Sequence, residues 1–302
     1  MSSVTTLSSD QIAQYVLLGT VIGTCAPIFI RNVYYYRSTS KSKYIKILKA
    51  IMAFFMAFKS ALFIVFSVPG GASCEALGRS ADTFYHVAMV AGDAVLLHRI
   101  LAVVVFHWKR RIKIIHLLIL LARVISGIVD IARVHISFNV ETGSCDYRDS
   151  HIIGIIYTSL DTLLDFYATC VICIVLIRHM RKLNRDGLVT ANTHRYIAIT
   201  IYNGTRTFLL TIVNLLAAVG IALKQTDSYF IPLVSTLWPI TNLLFVSLIG
   251  YDTDFTEVIR NMRTQFEDKP ISMNDVVLPT YPDQISHRRP STPTIASQHR
   301  PF

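Results

Sequence analysis

The residues of this chain best able to do chemistry are ionisable side chains set inside otherwise apolar blocks: Lys59, Asp82, His86, Asp93, Arg123, Asp130, Arg133, Asp161, Asp165 and Arg206. At 100° per helical residue, Asp82, His86 and Asp93 fall within about 40° of one another and make one polar stripe. Asp161 and Asp165 lie one turn apart, below Tyr157. Two uses suit such groups. Asp82, His86, Tyr157 and Asp161 could line an outward pocket for a polar or cationic ligand. Alternatively, the charges are structural ion pairs that hold helices together. Counted from the inner ends of their blocks, Lys59 and Asp93 sit at nearly equal depth, as do Arg206 and Asp165; at 1.5 Å per residue each pair differs by only ~3 Å. Other chemistry lacks its residues. There is no HExxH, no paired Gly-Asp or Ser/His protease constellation, no metal-ligand spacing and no Gly-rich phosphate loop. No catalytic residue, metal or cofactor is expected, and the chain does not read as an enzyme.

The blocks that must position these charges are too apolar for a soluble domain. The 302 residues are 52% hydrophobic and 16% charged, against roughly 25% charged in an average globular chain. Seven apolar stretches run approximately 12–36, 47–68, 79–106, 114–136, 152–177, 196–223 and 231–250, each about long enough to cross a ~30 Å hydrocarbon layer. Backbone polar groups in lipid must be satisfied within the segment, so these are predicted helices. The alternation of barrel strands is missing. The expected fold is an all-α integral membrane protein: a short outer N-terminus (1–11), a seven-helix domain (12–250), an amphipathic surface helix (251–266) and a disordered cytosolic tail (267–302).

The net charge of +10 belongs to topology and not to nucleic acid. Twenty lysines and arginines fall in the connections after spans one, three and five and in the tail, including Lys109, Arg110, Arg111 and Lys113. Only Arg79, Arg148 and Lys224 fall on the other side. Basic residues stay on the cytosolic face, so the N-terminus is expected outside and the C-terminus inside. No basic n-region or cleavable leader is evident, and span one reads as an uncleaved anchor.

Of five cysteines, Cys25, Cys170 and Cys173 lie within spans and read as small apolar residues. Cys74 and Cys145 lie in the outer connections. That compartment is oxidising, so a bridge between them is expected over two free thiols; it would tie the longest outer loop over the mouth of the bundle.

Seven N-out spans, with one cysteine at the head of the third and another in the second outer loop, resemble a rhodopsin-like G-protein-coupled receptor. The inner part of span three, Leu96-Leu97-His98-Arg99-Ile100-Leu101, is similar to that family's acidic-Arg-aromatic motif, and Arg99 follows Cys74 by the family's interval of twenty-five residues. The resemblance implies that His98 and Arg99 serve activation and coupling to a heterotrimeric G protein. Pro239-Ile240-Thr241-Asn242 loosely resembles the Asn-Pro-x-x-Tyr stretch of span seven, which adds Asn242 to that group. Phe255, Val258, Ile259, Met262 and Phe266 form a narrow apolar stripe, like the family's eighth helix. The departures are plain: Lys59 stands where span two of the family carries an acid, span four lacks its tryptophan and span six its Trp-x-Pro. Asp82 lies one residue beyond the ligand aspartate of amine receptors, so it does not inherit that role.

The resemblance implies a multi-pass plasma-membrane protein that passes binding of a small extracellular ligand to a G protein. A proton-coupled transporter using the intramembrane Asp and His residues is the main alternative, although the internal repeats common in transporters are not seen. A microbial-type retinal protein is excluded, because span seven has no lysine for the Schiff base. In the tail, Leu278-Pro279-Thr280-Tyr281 resembles WW-domain ligands. Arg288-Arg289-Pro290-Ser291 resembles basophilic kinase sites, and Thr292-Pro293 proline-directed ones. The topology is checked by tags: one at the N-terminus should be reached by antibody on intact cells, and one after Phe302 only after permeabilisation. Accessibility of both from one side would remove the seven-span reading.

Overall fold

The computed structural model describes residues 9–34, 43–68, 73–103, 108–139, 144–148, 150–185, 208–216 and 230–251, together with 201, 204, 205 and 219. All of them fall within the unit Met1–Arg260. Arg206, most of the sixth expected span, the 251–266 helix beyond Tyr251 and the tail motifs at Leu278, Pro279, Tyr281, Ser291 and Thr292 lie outside the described residues.

The described chain is predominantly helical. Its elements are α1 (Ser9–Tyr34), α2 (Lys43–Ser67), α3 (Cys74–Val103), α4 (Lys109–Arg133), a hairpin of β1 (His135–Asn139) and β2 (Ser144–Arg148), α5 (His151–Arg185), α6 (208–216) and α7 (Phe230–Gly250). Four of them, α1 to α4, are long and apolar enough to cross a membrane.

Side chains sort by face in a way that water would not permit. Helix α3 is the hub, with 67% of its most apolar window buried, against 22% for α1 and α4. In α1, Leu18, Val21, Cys25 and Ile28 form the buried stripe. Helix α4 is inside out. Its buried residues are His116, Arg123, Gly127 and Asp130, while Leu117, Leu118, Leu121, Ile125 and Ile128 are more than half exposed. An apolar face of that extent on a soluble protein would drive association; facing lipid, it is in its own solvent. Small residues let the helices close up. A Cβ on Gly92 would collide with the Phe245 ring, and one on Gly250 with Ile28, the close approach that small residues give packed membrane helices.

The hairpin departs from the expected all-α fold. Span four was expected to run to Ile136, but α4 ends at Arg133. Val134 turns to extended backbone (φ −62°, ψ 134°) and its N–H closes on the Asp130 carbonyl. From His135 the chain pairs antiparallel with β2, Phe138 opposite Cys145. Seated against α3, the hairpin is admitted by Gly78, where a Cβ would stand 2.6 Å from Ile136 Cδ1. Helix α3 also begins earlier than expected, with Cys74 as its first residue.

The expected bridge is present: Cys74 and Cys145 are disulfide-bonded with Cα atoms 5.5 Å apart, across 71 residues of chain. Closing a loop of that length removes denatured-state entropy on the order of 4 kcal/mol. Cys74→Ser or Cys145→Ser should therefore lower the thermal midpoint and the yield of purified protein, and the double variant should be no worse than either single one. Mass spectrometry that finds both thiols free in the mature protein contradicts the assignment.

Candidate functional site

The inward polar residues of α3, α4 and α5 converge in a buried network. Arg123, the only cation among the buried residues of α4, sits at its centre. Its Nε is 3.3 Å from Asp93 Oδ2 on α3, and its Nη2 pairs with Asp161 Oδ1 on α5. Nη1 donates to the Tyr157 carbonyl at 3.4 Å. The guanidinium carbon stands 3.5 Å from the centre of the Tyr157 ring, a cation–π contact strengthened by the absence of water. One planar cation on α4 thus reaches two further helices, α3 and α5, with its fork of donors.

Toward the hairpin end of the same interface lies a second group. His86 Nε2 is 3.3 Å from Asp82 Oδ1 and 3.2 Å from Asp130 Oδ2. The imidazole packs edge-on to Tyr157, centroids 4.9 Å apart. Helix α4 can approach because position 127 is glycine: a Cβ there would stand 3.0 Å from His86 Cγ and Nδ1. A third group surrounds Lys59, which is 1% exposed. Its Nζ lies 4.1 Å from the Trp238 ring centre, 4.9 Å from Phe63 and 5.4 Å from Tyr85. These rings join α2, α3 and α7, and the hairpin adds Tyr147, 5.9 Å from Trp238 and 5.5 Å from Phe63.

Below the Arg123 network, Asp93, Asp161, Asp165, Asn214 and Thr241 line a cavity of ≈ 10 Å³, space for about one water. At the end of the bundle away from the hairpin, Arg99 is 2% exposed and its Nη2 donates to the Ile249 carbonyl at 3.2 Å. Lys49 Nζ reaches the Gly250 carbonyl at 3.5 Å. Both cations therefore serve the final carbonyls of α7, where the helix dipole favours positive charge. His98 is half-buried against Tyr44, ring centres 5.8 Å apart. Asn242 is 1% exposed.

The four expected ligand residues are brought together: Asp82, His86, Tyr157 and Asp161 all belong to this one network. Asp93, matched with Lys59 on depth, is ion-paired with Arg123, and Lys59 stands near three aromatic rings. Asp165 faces the small cavity; its expected partner Arg206 lies outside the described residues. The sequence singled out Arg123 and Asp130 as ionisable residues within spans without naming their partners, counted Lys49 only toward topology, and did not single out Trp238. A signal for two of them was present, because Arg123 and Asp130 are seven residues apart on one face of a helix otherwise dressed for lipid.

No protein-family model matches this sequence, and a search of curated proteins finds no match. The site therefore rests on its own geometry. Breaking a buried ion pair from one side leaves an uncompensated charge, at roughly 3–5 kcal/mol. Arg123→Gln should lower the melting temperature sharply by stranding Asp93 and Asp161. The triple variant Arg123→Gln/Asp93→Asn/Asp161→Asn should recover much of that loss in the same melting assay. Additive losses would show that the three do not act as a unit.

Proposed function

We propose that this chain is a seven-helix plasma-membrane receptor, N-terminus outside, that passes binding of a small extracellular ligand to a cytosolic heterotrimeric G protein. The observation that carries the reading is Arg99. It lies twenty-five residues from a disulfide cysteine at the opposite end of the same helix, and it is tied to the last turn of α7. An arginine that is buried and hydrogen-bonded to a neighbouring helix, on the helix that precedes the strongly basic start of α4 at Lys109–Lys113, suits a coupling element that becomes available when α7 moves. Asp82, His86, Tyr157 and Asp161, beneath the disulfide-tied hairpin, are the proposed ligand end. His98 and Asn242 flank the coupling end, and the tail would be read by WW-domain proteins and kinases.

A transporter is the second reading, favoured by one observation. Three carboxylates, Asp93, Asp161 and Asp165, surround the small central cavity, a place where intramembrane acids could load and release protons. The readings separate by mutation. For a receptor, membranes containing the protein should accelerate GTPγS uptake by added heterotrimeric G protein. Arg99→Ala should abolish that acceleration while surface expression stays near wild type. For a transporter, Arg99→Ala should do little, and Asp93→Asn or Asp161→Asn should remove pH-driven solute uptake in vesicles without any G protein. That second pattern would overturn the receptor proposal.

A further inference from the structure

We infer that Asp82, His86 and Asp130 form a binding site for a divalent transition-metal ion of the zinc type, bridging α3 and α4 beneath the hairpin. The three donors are on separate turns or separate helices, and their ligating atoms lie within 4.8 Å of one another. The separations are those of a metal site as well as those of long hydrogen bonds. Zinc–nitrogen and zinc–oxygen bonds of about 2.0–2.1 Å place neighbouring ligands of a tetrahedron roughly 3.3 Å apart. His86 Nε2 stands 3.3 Å from one carboxylate oxygen and 3.2 Å from the other. A modest closure of the two carboxylates completes the third edge.

A second, independent observation points the same way. Asp82 Oδ2, His86 Nδ1 and Asp130 Oδ1 are buried with no hydrogen-bond partner. The residues themselves are 1%, 6% and 7% exposed. So many orphaned polar atoms in one place are rare in a folded protein and call for something that satisfies them. Charge decides what that is. With His86 neutral the group carries two negative charges, and with His86 protonated it still carries one. A divalent ion with two carboxylates and a neutral imidazole is balanced. Arg123, the buried arginine of α4, is already engaged by Asp93 and Asp161. One nitrogen and two oxygens suit zinc, whereas calcium and magnesium prefer all-oxygen shells. Gly127 belongs to the site, since it leaves room for the imidazole to stand between the helices.

The site shares Asp82 and His86 with the proposed ligand end but does not depend on signalling, and it is tested by binding alone. The full-length protein, purified in nanodiscs and stripped with chelator, should bind ZnCl2 with one site that raises the melting temperature. Co2+ in its place should show the visible absorption of a low-symmetry four-coordinate ion. His86→Ala and Asp130→Asn should each weaken Zn2+ binding at least 100-fold, while His116→Ala, at the far end of α4, should leave it unchanged. Protection of His86 from diethyl pyrocarbonate by Zn2+, mapped by mass spectrometry on the unaltered chain, serves if a variant fails to fold. Zn2+ binding that survives His86→Ala, or Zn2+ that neither binds nor protects His86, overturns the assignment.

Discussion

Arg123 lies where a charge is hardest to keep, inside a bundle whose outer faces are dressed for hydrocarbon. Its desolvation would cost several kcal/mol if it stood alone. It does not stand alone: Asp93, Asp161, the Tyr157 carbonyl and the Tyr157 ring surround it. Each partner comes from α3 or α5, so satisfying the arginine fixes α4 between them in both rotation and depth. The apolar effect cannot set that rotation, because lipid tails are as apolar as the leucines of α4. Polar satisfaction is therefore the ordering force in this part of the molecule, and burial is its consequence.

The two ends of the bundle are held by different means. At the hairpin end, a covalent link from Cys74 to Cys145 holds β2 against the start of α3, and Tyr147 packs into the aromatic cluster around Lys59. Arg79 adds a link from α3 to the Ile131 carbonyl of α4 at 2.6 Å. Tyr15 ties α1 to the end of α2 through the Ser67 carbonyl. At the other end the described polar joins are the hydrogen bonds from Arg99 and Lys49 to the last carbonyls of α7, beside the close approach of Gly250 to Ile28. The described joins of the first end include a covalent tie, and those of the second do not.

Much of this was legible in the sequence, because lipid imposes a simple rule on length and composition. The described apolar blocks became helices close to their expected bounds, and the cysteine pair could be placed from the connections alone. The hairpin was not legible. Val134, His135 and Ile136 are apolar or neutral enough to extend a helical block by one turn, and only pairing with Ser144–Arg148, a contact between distant residues, makes them a strand. The pairing of charges was likewise half legible. Depth along each helix gave which groups could meet, but rotation decides which do. Asp93 reaches Arg123 on α4, a partner that depth-matching with Lys59 did not name, and the ammonium of Lys59 stands near Phe63, Tyr85 and Trp238. Asp130 was passed over for the same reason: its partner His86 is on another helix, and no spacing within one segment reveals it.

The asymmetry between the ends bears on how such a bundle could change state. A hydrogen bond to a charged group contributes about 1.5–3 kcal/mol. Releasing the α7 terminus would break the two such bonds from Arg99 and Lys49, so a released state is disfavoured. Moving such an equilibrium from 1:99 to 99:1 needs roughly 5.5 kcal/mol of differential affinity. Any ligand at the hairpin end must supply that difference through contacts that exist only when the far end is open. The route available runs through α3, which carries Asp82 and His86 near one end, Asp93 at its middle and Arg99 near the other. Helix α7 runs alongside, with Trp238 in the Lys59 cage and Ile249 under Arg99. A tilt of α7 that loosens Trp238 from the lysine would act as a lever on the carbonyl that Arg99 holds. For the proposed receptor, relative motion of these two helices would be the coordinate along which the ligand end and the far terminus communicate.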